Sequence, residues 1–367
     1  MPARGVRARS RSPYNPVAMA RVLSRALADY VVEWRRSPWP VPWEEVFGRR
    51  APLALEIGFG NGDFLSAQAQ AHPERDHLGL ELSWTAATYL FRRLRRVDAG
   101  NVRVLLGDAE ALLPALFGPA TLAEVWVNHP CPWPKARHVE RRLLGEKFLA
   151  LLAERMRTGA RLTVVTDHDG YAEWLAGELA AERALESCHP TGSVAAIVGR
   201  TPTKYEEKAR ARGLPIHYFE WRKRACAARP AGRGSSATGT MPTLKLSGAV
   251  AGAELFRGFE PALFRERHEG VDVVVKLQTV YRRADEPAWM IEALAQEDRL
   301  RQRFGIDVIP RGSTLLLKLS DLGEPHPTHG VKRALWCAAR WLQSRHPALV
   351  IEQESLGLPA PAERWPG

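Results

Sequence analysis

Between Leu53 and Arg224, short apolar runs alternate with longer segments whose apolar residues recur at helical spacing. The runs Leu53–Ile57, His77–Leu80, Val102–Leu105, Glu124–Val127, Arg161–Val165, Val194–Val198 and Ile216–Trp221 read as strands. Gly62–Ala71, Ala86–Val97, Ala109–Leu116, Arg141–Arg157 and Gly170–Ala181 read as helices. Buried strands separated by helices predict an α/β fold, a mostly parallel sheet joined by right-handed crossovers. No full helix fits between the last two strands, so an antiparallel edge is open there. Upstream, residues 19–36 carry apolar positions at Val22, Leu23, Leu27, Tyr30, Val31 and Trp34, a helical pattern. Trp39 and Trp43, set among prolines, are expected to staple this N-terminal region to the core.

The pattern breaks at residues 225–240, a stretch of small, polar and breaker residues that reads as a linker. It separates a domain at 51–224, preceded by a basic arm and helix at 1–50, from a second segment at 241–356. In that segment Val271–Leu277 and Thr314–Leu319 read as strands, and Ala288–Phe304 and Val331–Gln343 as helices. A small accessory α+β domain is expected, with Trp336 and Trp341 in its core. The proline-rich tail, 357–367, is expected to fray.

Composition narrows the class of partner. Of 367 residues 45% are hydrophobic, enough for a sizeable core, and the formal net charge of +11 favours an anionic partner. Arginine outnumbers lysine, and its fork matches phosphate, although GC-rich coding produces the same bias. Cys131, Cys188, Cys226 and Cys337 lie far apart without a CxxC pair, so neither a metal site nor a disulfide framework is expected. A soluble protein of the reducing cytoplasm fits, with no membrane association. Monomer and homodimer both remain open.

Candidate chemistry falls at the predicted strand ends. Glu56-Ile57-Gly58-Phe59-Gly60-Asn61-Gly62 follows the first strand and opens a helix. Its glycines allow a sharp turn and close approach of backbone to ligand. The form is Gly-x-Gly-x-Gly, and Glu56 would repel a phosphate, so a dinucleotide is disfavoured. A cationic ligand such as a sulfonium bearing an amino group suits it better. Glu81, ending the second strand, is placed to accept from ribose hydroxyls, and Asp108, after the third, from an adenine amine. After the fourth strand comes Pro130-Cys131-Pro132-Trp133-Pro134-Lys135-Ala136-Arg137-His138, then Arg141 and Arg142. Three prolines stiffen this loop, Trp133 offers a stacking face, and the cations suit a nucleic acid. Asp167 follows the fifth strand, where it is either a ligand contact or a helix cap. Thr203-Lys204-Tyr205-Glu206 has capping-box spacing and so reads as a helix start, a binding motif, or both.

Taken together, these motifs resemble the bacterial tRNA (guanine-N7)-methyltransferase family over roughly residues 50–224. The matches are Glu56 to Gly60, the Pro-x-Pro-Trp-Pro-Lys loop with Arg137, His138, Arg141 and Arg142, Thr166-Asp167 with Tyr171 to Trp174, and Thr203 to Glu206. The resemblance implies a Rossmann-like class I methyltransferase sheet and a methyl donor, S-adenosylmethionine, with no metal. It implies a tRNA partner whose variable-loop guanine, usually position 46, is methylated at N7. Glu56, Gly58, Gly60, Glu81, Asp108 and Cys131 would hold the donor. Lys135, His138, Arg141, Asp167, Thr203, Lys204, Tyr205 and Glu206 would hold the substrate. The family loop normally reads Pro-Asp-Pro-Trp-Pro-Lys, and its Asp is regarded as an active-site residue; here that position is Cys131. N7 carries a free lone pair, so positioning can suffice without a base. Cys131 is therefore expected to line the donor pocket rather than act as a nucleophile. The competing readings are a tRNA-binding homologue with impaired catalysis and a methyltransferase of another substrate.

Overall fold

The computed structural model describes residues 29–97, 99–225, 241–248, 254–284 and 286–359. A short helix α1 (Trp43–Phe47) precedes β1 (Leu53–Ile57), α2 (Asp63–Ala71), β2 (Asp76–Glu81), α3 (Trp84–Val97), β3 (Val102–Leu106), α4 (Ala109–Leu116) and β4 (Leu122–Asn128). A 3-10 turn (Ala136–Arg141), α5 (Glu146–Arg155), β5 (Met156–Thr166), α6 (Asp169–Ala181), β6 (Leu185–Ser187), α7 (Lys204–Ala211) and β7 (His217–Lys223) complete the first unit. Its sheet has the order β3-β2-β1-β4-β5-β7-β6. The first five strands run parallel, and β7 is antiparallel to both β5 and β6, so the antiparallel edge forms with Leu185–Ser187, which the sequence pattern did not mark, rather than with Val194–Val198. Strand order reverses between β1 and β4. In open α/β sheets, the crevice beyond the strands' carboxyl ends at that point is where ligands bind.

Local sequence explains the elements. All five residues of β1 are buried, as a strand covered on both faces requires. Helix α3 buries Ala87, Leu90, Phe91 and Leu94 and carries four arginines on its other positions. At the start of α2, Gly62 has φ of 72°, and a Cβ there would meet the Leu90 side chain at 2.4 Å. Only glycine lets α2 begin so close to α3.

Three expectations for this unit are corrected. The helix read at Arg141–Arg157 is shorter, because the proline loop's 3-10 turn takes its start and β5 takes Met156 and Arg157. The strand read at Val194–Val198 is a single bridge, Val194 to Tyr218, since the glycines and proline around it leave no run to pair. Of the N-terminal helix, residues 19–28 and the basic arm lie outside the described residues. Residues 31–36 are not helical: Val31 bridges Val104 and Val32 N donates to Val104 O at 2.9 Å, so this segment borders β3.

The second sheet, β14-β8-β13-β12-β11-β10-β9, is antiparallel throughout. Its strands are β8 (Thr243–Ser247), β9 (Ala262–His268), β10 (Val271–Arg282), β11 (Trp289–Glu297), β12 (Leu300–Arg311), β13 (Thr314–Leu319) and β14 (Val350–Glu354). Helix α8 (His329–Arg345) packs on it with Trp336 and Trp341 buried, and the two units have separate apolar cores. The helix expected at Ala288–Phe304 is instead the β11–β12 hairpin, turning at Asp298 with φ of 51°. Alanine, glutamate and glutamine there favour helix, but Ile291, Ala293 and Ala295 alternate onto the buried face beside Phe304, Ile306 and Val308. Leu356, just before the tail, is buried, and within the tail Leu358 packs on this core, while residues 360–367 lie outside the description.

The units touch beside α4. Trp39 stacks on His326 with ring centroids 3.8 Å apart, Leu300 packs on the first core, and Arg299 lies 3.5 Å from Glu110. Trp43 staples inward on Phe117 as expected, whereas Trp39 also joins the two units.

Candidate active site

The glycine turn between β1 and α2 leaves backbone exposed. Gly58 and Gly60 have φ of 74° and 53°, and a Cβ on either would meet nothing within 4 Å. Gly58 N is tied to Leu80 O at 2.8 Å, and Gly60 N donates to Glu81 Oε2 at 3.0 Å. Ser83 N donates to the other Glu81 oxygen at 2.9 Å. Both oxygens are thereby oriented, and each keeps a lone pair for a ligand. Asp108 spends Oδ1 on capping α4 through Glu110 N at 2.9 Å.

Glu56 is 2% exposed. Asn128 Nδ2 donates to its Oε1 at 2.8 Å, and its Oε2 is buried without a hydrogen-bond partner of good geometry. Burial pushes its carboxyl up to about 7, opposed by Asn128 and Arg200 and reinforced by the nearby negative charge of Glu81. An unpartnered buried oxygen is costly unless a ligand completes it. Glu56, Glu81 and Asp108 stand at successive strand ends beside a bare glycine backbone. They suit a ligand carrying a cation, a ribose diol and an amine.

A buried chain of polar groups runs from Glu56 toward α7. Asn128 accepts from Arg200 Nη2, whose guanidinium lies 4.6 Å over Phe64 and reaches Glu206 at 3.4 Å. Glu206 is 0% exposed and closes the capping box with Thr203: Thr203 N donates to Oε2 at 2.7 Å, and Glu206 N to Thr203 Oγ1 at 3.1 Å. Tyr218 Oη donates to the other Glu206 oxygen at 2.7 Å. Burial pushes this carboxyl up, but Arg200, the Thr203 amide and Tyr218 outweigh it and hold it below the usual range. The helix-start reading of the Thr203 motif holds, and Thr203 and Glu206, expected as substrate contacts, are instead buried in the cap. Thr203 and Glu206 build the helix start, while Lys204 and the 60% exposed Tyr205 present outward. Lys204, Tyr205 and Lys208 face Asn61 and Asp63 of the glycine turn across a small cleft. An adjoining hollow of about 530 Å³ is rimmed by Arg92, Arg93, Arg96 and Lys204.

The proline loop follows β4, whose last residue, Asn128, bonds Glu56. Cys131, Lys135, Arg137 and Arg141 are exposed. Trp133 adopts φ of 39°, with the Arg141 guanidinium 5.0 Å over its ring and His138 against it edge-on at 5.8 Å. One of its stacking faces is therefore occupied. Arg142 turns inward: its Nε donates to Pro132 O at 2.9 Å and its guanidinium lies 4.8 Å over Trp174. After β5, the helix cap is His168, whose Nδ1 accepts from Tyr171 N at 3.1 Å. Asp167 is not the cap; it meets His129 Nδ1 at 3.3 Å.

Sequence reading passed over Asn128, His129 and Arg200. The available signal was two polar residues interrupting an apolar strand just before the prolines, and an arginine three positions ahead of Thr203. Elsewhere, a groove of about 390 Å³ runs between Pro52, Arg75, Glu124 and Arg161. It lies at the amino-terminal ends of β1 and β4, away from the glycine turn. Among the described residues no group of three or more His, Cys, Asp or Glu is arranged to hold a metal ion, and no helix is long and apolar enough to cross a membrane.

A methyltransferase family model matches residues 50–219. The tRNA (guanine-N(7)-)-methyltransferase of Cutibacterium acnes is 37% identical over 223 residues, covering 58% of this chain and 81% of its own. That of Thermus thermophilus is 42% identical over 162 residues, covering 44% of this chain and 49% of its own. The Thermotoga maritima enzyme of the same name is 28% identical over 304 residues, covering 81% of this chain and 91% of its own. A match of that extent runs past the linker into the second unit. On the strength of these relatives, this chain belongs to the tRNA (guanine-N7)-methyltransferase family.

Proposed function

We propose that this protein methylates N7 of a guanine in the variable loop of tRNA, position 46, with S-adenosylmethionine as donor. The observation that carries the donor half is the trio Glu56, Glu81 and Asp108 around an open glycine backbone, with one Glu56 oxygen buried and unpaired. Glu56 would meet the donor's ammonium group, Glu81 its ribose hydroxyls and Asp108 its adenine amine, with Gly58 and Gly60 allowing close approach. When bound, the sulfonium supplies a methyl group to the N7 lone pair, leaving a neutral thioether and a cationic base, with no proton removed.

The chain's own task is alignment and charge placement. The start of α7 faces the glycine turn, and its Tyr205 meets His129 at the base of the proline loop, so a base entering there would be held between α7 and the loop. Lys135, Arg137, Arg141, Lys204 and Lys208 are exposed there and would engage the tRNA backbone, together with the arginine face of α3. His138 and Arg141 act on Trp133, setting its ring for the base or an adjoining nucleotide. Cys131 lines the donor side and forms no covalent adduct, because attack by N7 needs no prior thiol addition. The second unit braces α4, whose first turn Asp108 caps, and enlarges the surface offered to tRNA. The protein works in the cytoplasm.

The test is incubation with labelled S-adenosylmethionine and unmodified tRNA transcripts, followed by borohydride–aniline cleavage. Cleavage at a variable-loop guanine is expected. Donor and tRNA binding without any methylated guanine would refute the catalytic reading and leave a binding protein.

A further inference from the structure

His129 ends β4 in a left-handed conformation, φ 50°, which few side chains adopt without a constraint. The constraint is visible: its amide donates to Val165 O at 2.8 Å, fixing it to the end of β5. Its side chain is 7% exposed, and its Nδ1 lies 3.3 Å from Asp167 Oδ1. Its Nε2 is buried and has no hydrogen-bond partner among the described residues. The Tyr205 ring, on the first turn of α7, lies 5.5 Å from the imidazole. Two residues along the chain is Cys131, the position where the resemblance places a carboxylate.

We propose that His129 Nε2 accepts a hydrogen bond from an N–H of the target guanine's Watson–Crick edge, with Asp167 holding the imidazole in place. This rests on the reading of guanine N7 as the methyl acceptor. A neutral imidazole that donates Nδ1–H to a carboxylate presents Nε2 as a pure acceptor. Guanine offers N–H donors at N1 and the exocyclic amine. As N7 gains the methyl group the base becomes cationic, and those N–H groups become more acidic. A bond accepted from them therefore tightens during transfer, and an interaction stronger in the transition state than before it accelerates the reaction. The Asp167 charge behind the ring works in the same direction. This arrangement gives the chain a negatively polarised acceptor where Cys131 supplies no carboxylate. Tyr205, largely exposed at the helix start, is the neighbour that moves aside or stacks as the base arrives.

The experiment compares wild type with His129→Asn and His129→Gln, using single-turnover methylation of tRNA and binding of unmethylated and N7-methylated tRNA at one salt concentration. Asparagine tolerates the left-handed backbone and still reaches Asp167, but places nothing at the Nε2 position. Glutamine extends an amide oxygen toward that position. The expected result for His129→Asn is a rate lower by about 30- to 100-fold, with unmethylated tRNA affinity within about twofold, the size of one hydrogen bond to a charged group. Wild type should bind methylated tRNA several-fold more tightly than unmethylated tRNA, and His129→Asn should lose that preference. His129→Gln should recover most of the rate. An undiminished rate in His129→Asn overturns the proposal. So does equal impairment of both variants accompanied by a lower melting temperature, which marks a structural role. A wild-type protein that methylates no guanine overturns the functional reading, and this inference with it.

Discussion

Glu56 couples donor binding to pH in a way that can be worked out from its surroundings. Its carboxyl rises from the usual 4.5 to about 7, first through burial, so the free protein holds it mainly protonated below neutrality. Between those two values the folded state binds more protons than the unfolded chain. Stability therefore falls as pH rises through this window, by up to about 3 kcal/mol for a shift of this size. A donor bearing an ammonium group needs the ionised form. At pH 6 about nine-tenths of Glu56 would carry a proton that binding must expel, and at pH 8 only about one-tenth. Titration calorimetry with S-adenosylhomocysteine, in buffers of different ionisation enthalpy, should record release of nearly one proton at pH 6 and almost none at pH 8. Affinity should climb about tenfold per pH unit below 7 and level off above it. Glu56→Gln keeps the acceptor for Asn128 but never carries the charge. Its affinity should be independent of pH and about 30- to 100-fold weaker than wild type at pH 8, as loss of a hydrogen bond to a charged group predicts. Its melting temperature should exceed that of wild type at pH 8 and match it near pH 5. Wild-type affinity that stays flat from pH 5.5 to 8, with no proton release at pH 6, would refute the reasoning.

Three further outcomes follow from other contacts. Arg200→Met should destabilise the first unit by about 3 kcal/mol in urea unfolding, because it strands the buried Glu206 carboxylate; adding Glu206→Gln should recover part of the loss, and no recovery would mean that the two do not act as a pair. Cys131→Ala should keep at least about a tenth of the single-turnover rate, since positioning supplies most of the barrier reduction; abolished turnover with both ligand affinities intact would instead make the thiol essential to chemistry. A protein shortened to residues 1–228 should melt at a lower temperature and bind tRNA more weakly, because it uncovers Trp39 and the core surface under Leu300; unchanged melting and activity would remove the second unit from the account.

The site's chemistry was written locally, and so it was legible. Gly58, Gly60 and Gly62 demand a turn wherever they fall, three prolines demand a stiff loop, and an acid after each of three apolar runs stands at a strand end once those strands are parallel. The capping box at Thr203 is likewise a statement about four consecutive residues. The sequence by itself therefore determined the first five strands of the first unit, the helices between them, and the presence of Glu56, Glu81, Asp108 and the proline loop at their carboxyl ends, but not the strand Leu185–Ser187. Tertiary structure decided what depends on partners distant in sequence. Residues 288–304 carry a helical propensity, yet pairing with β10 and β13 on either side makes them two strands of a hairpin whose small residues fit the buried face. Glu206, read from the sequence as a capping residue or a substrate contact, lies at the bottom of a network because Arg200 and Tyr218 reach it across the fold. His129 shows the same division most plainly. Its neighbours show only a polar break between an apolar run and the prolines; hydrogen bonding between β4 and β5 brings Asp167 to one of its nitrogens and leaves the other unpaired, because long-range packing sets which polar groups find partners and which are kept for a ligand.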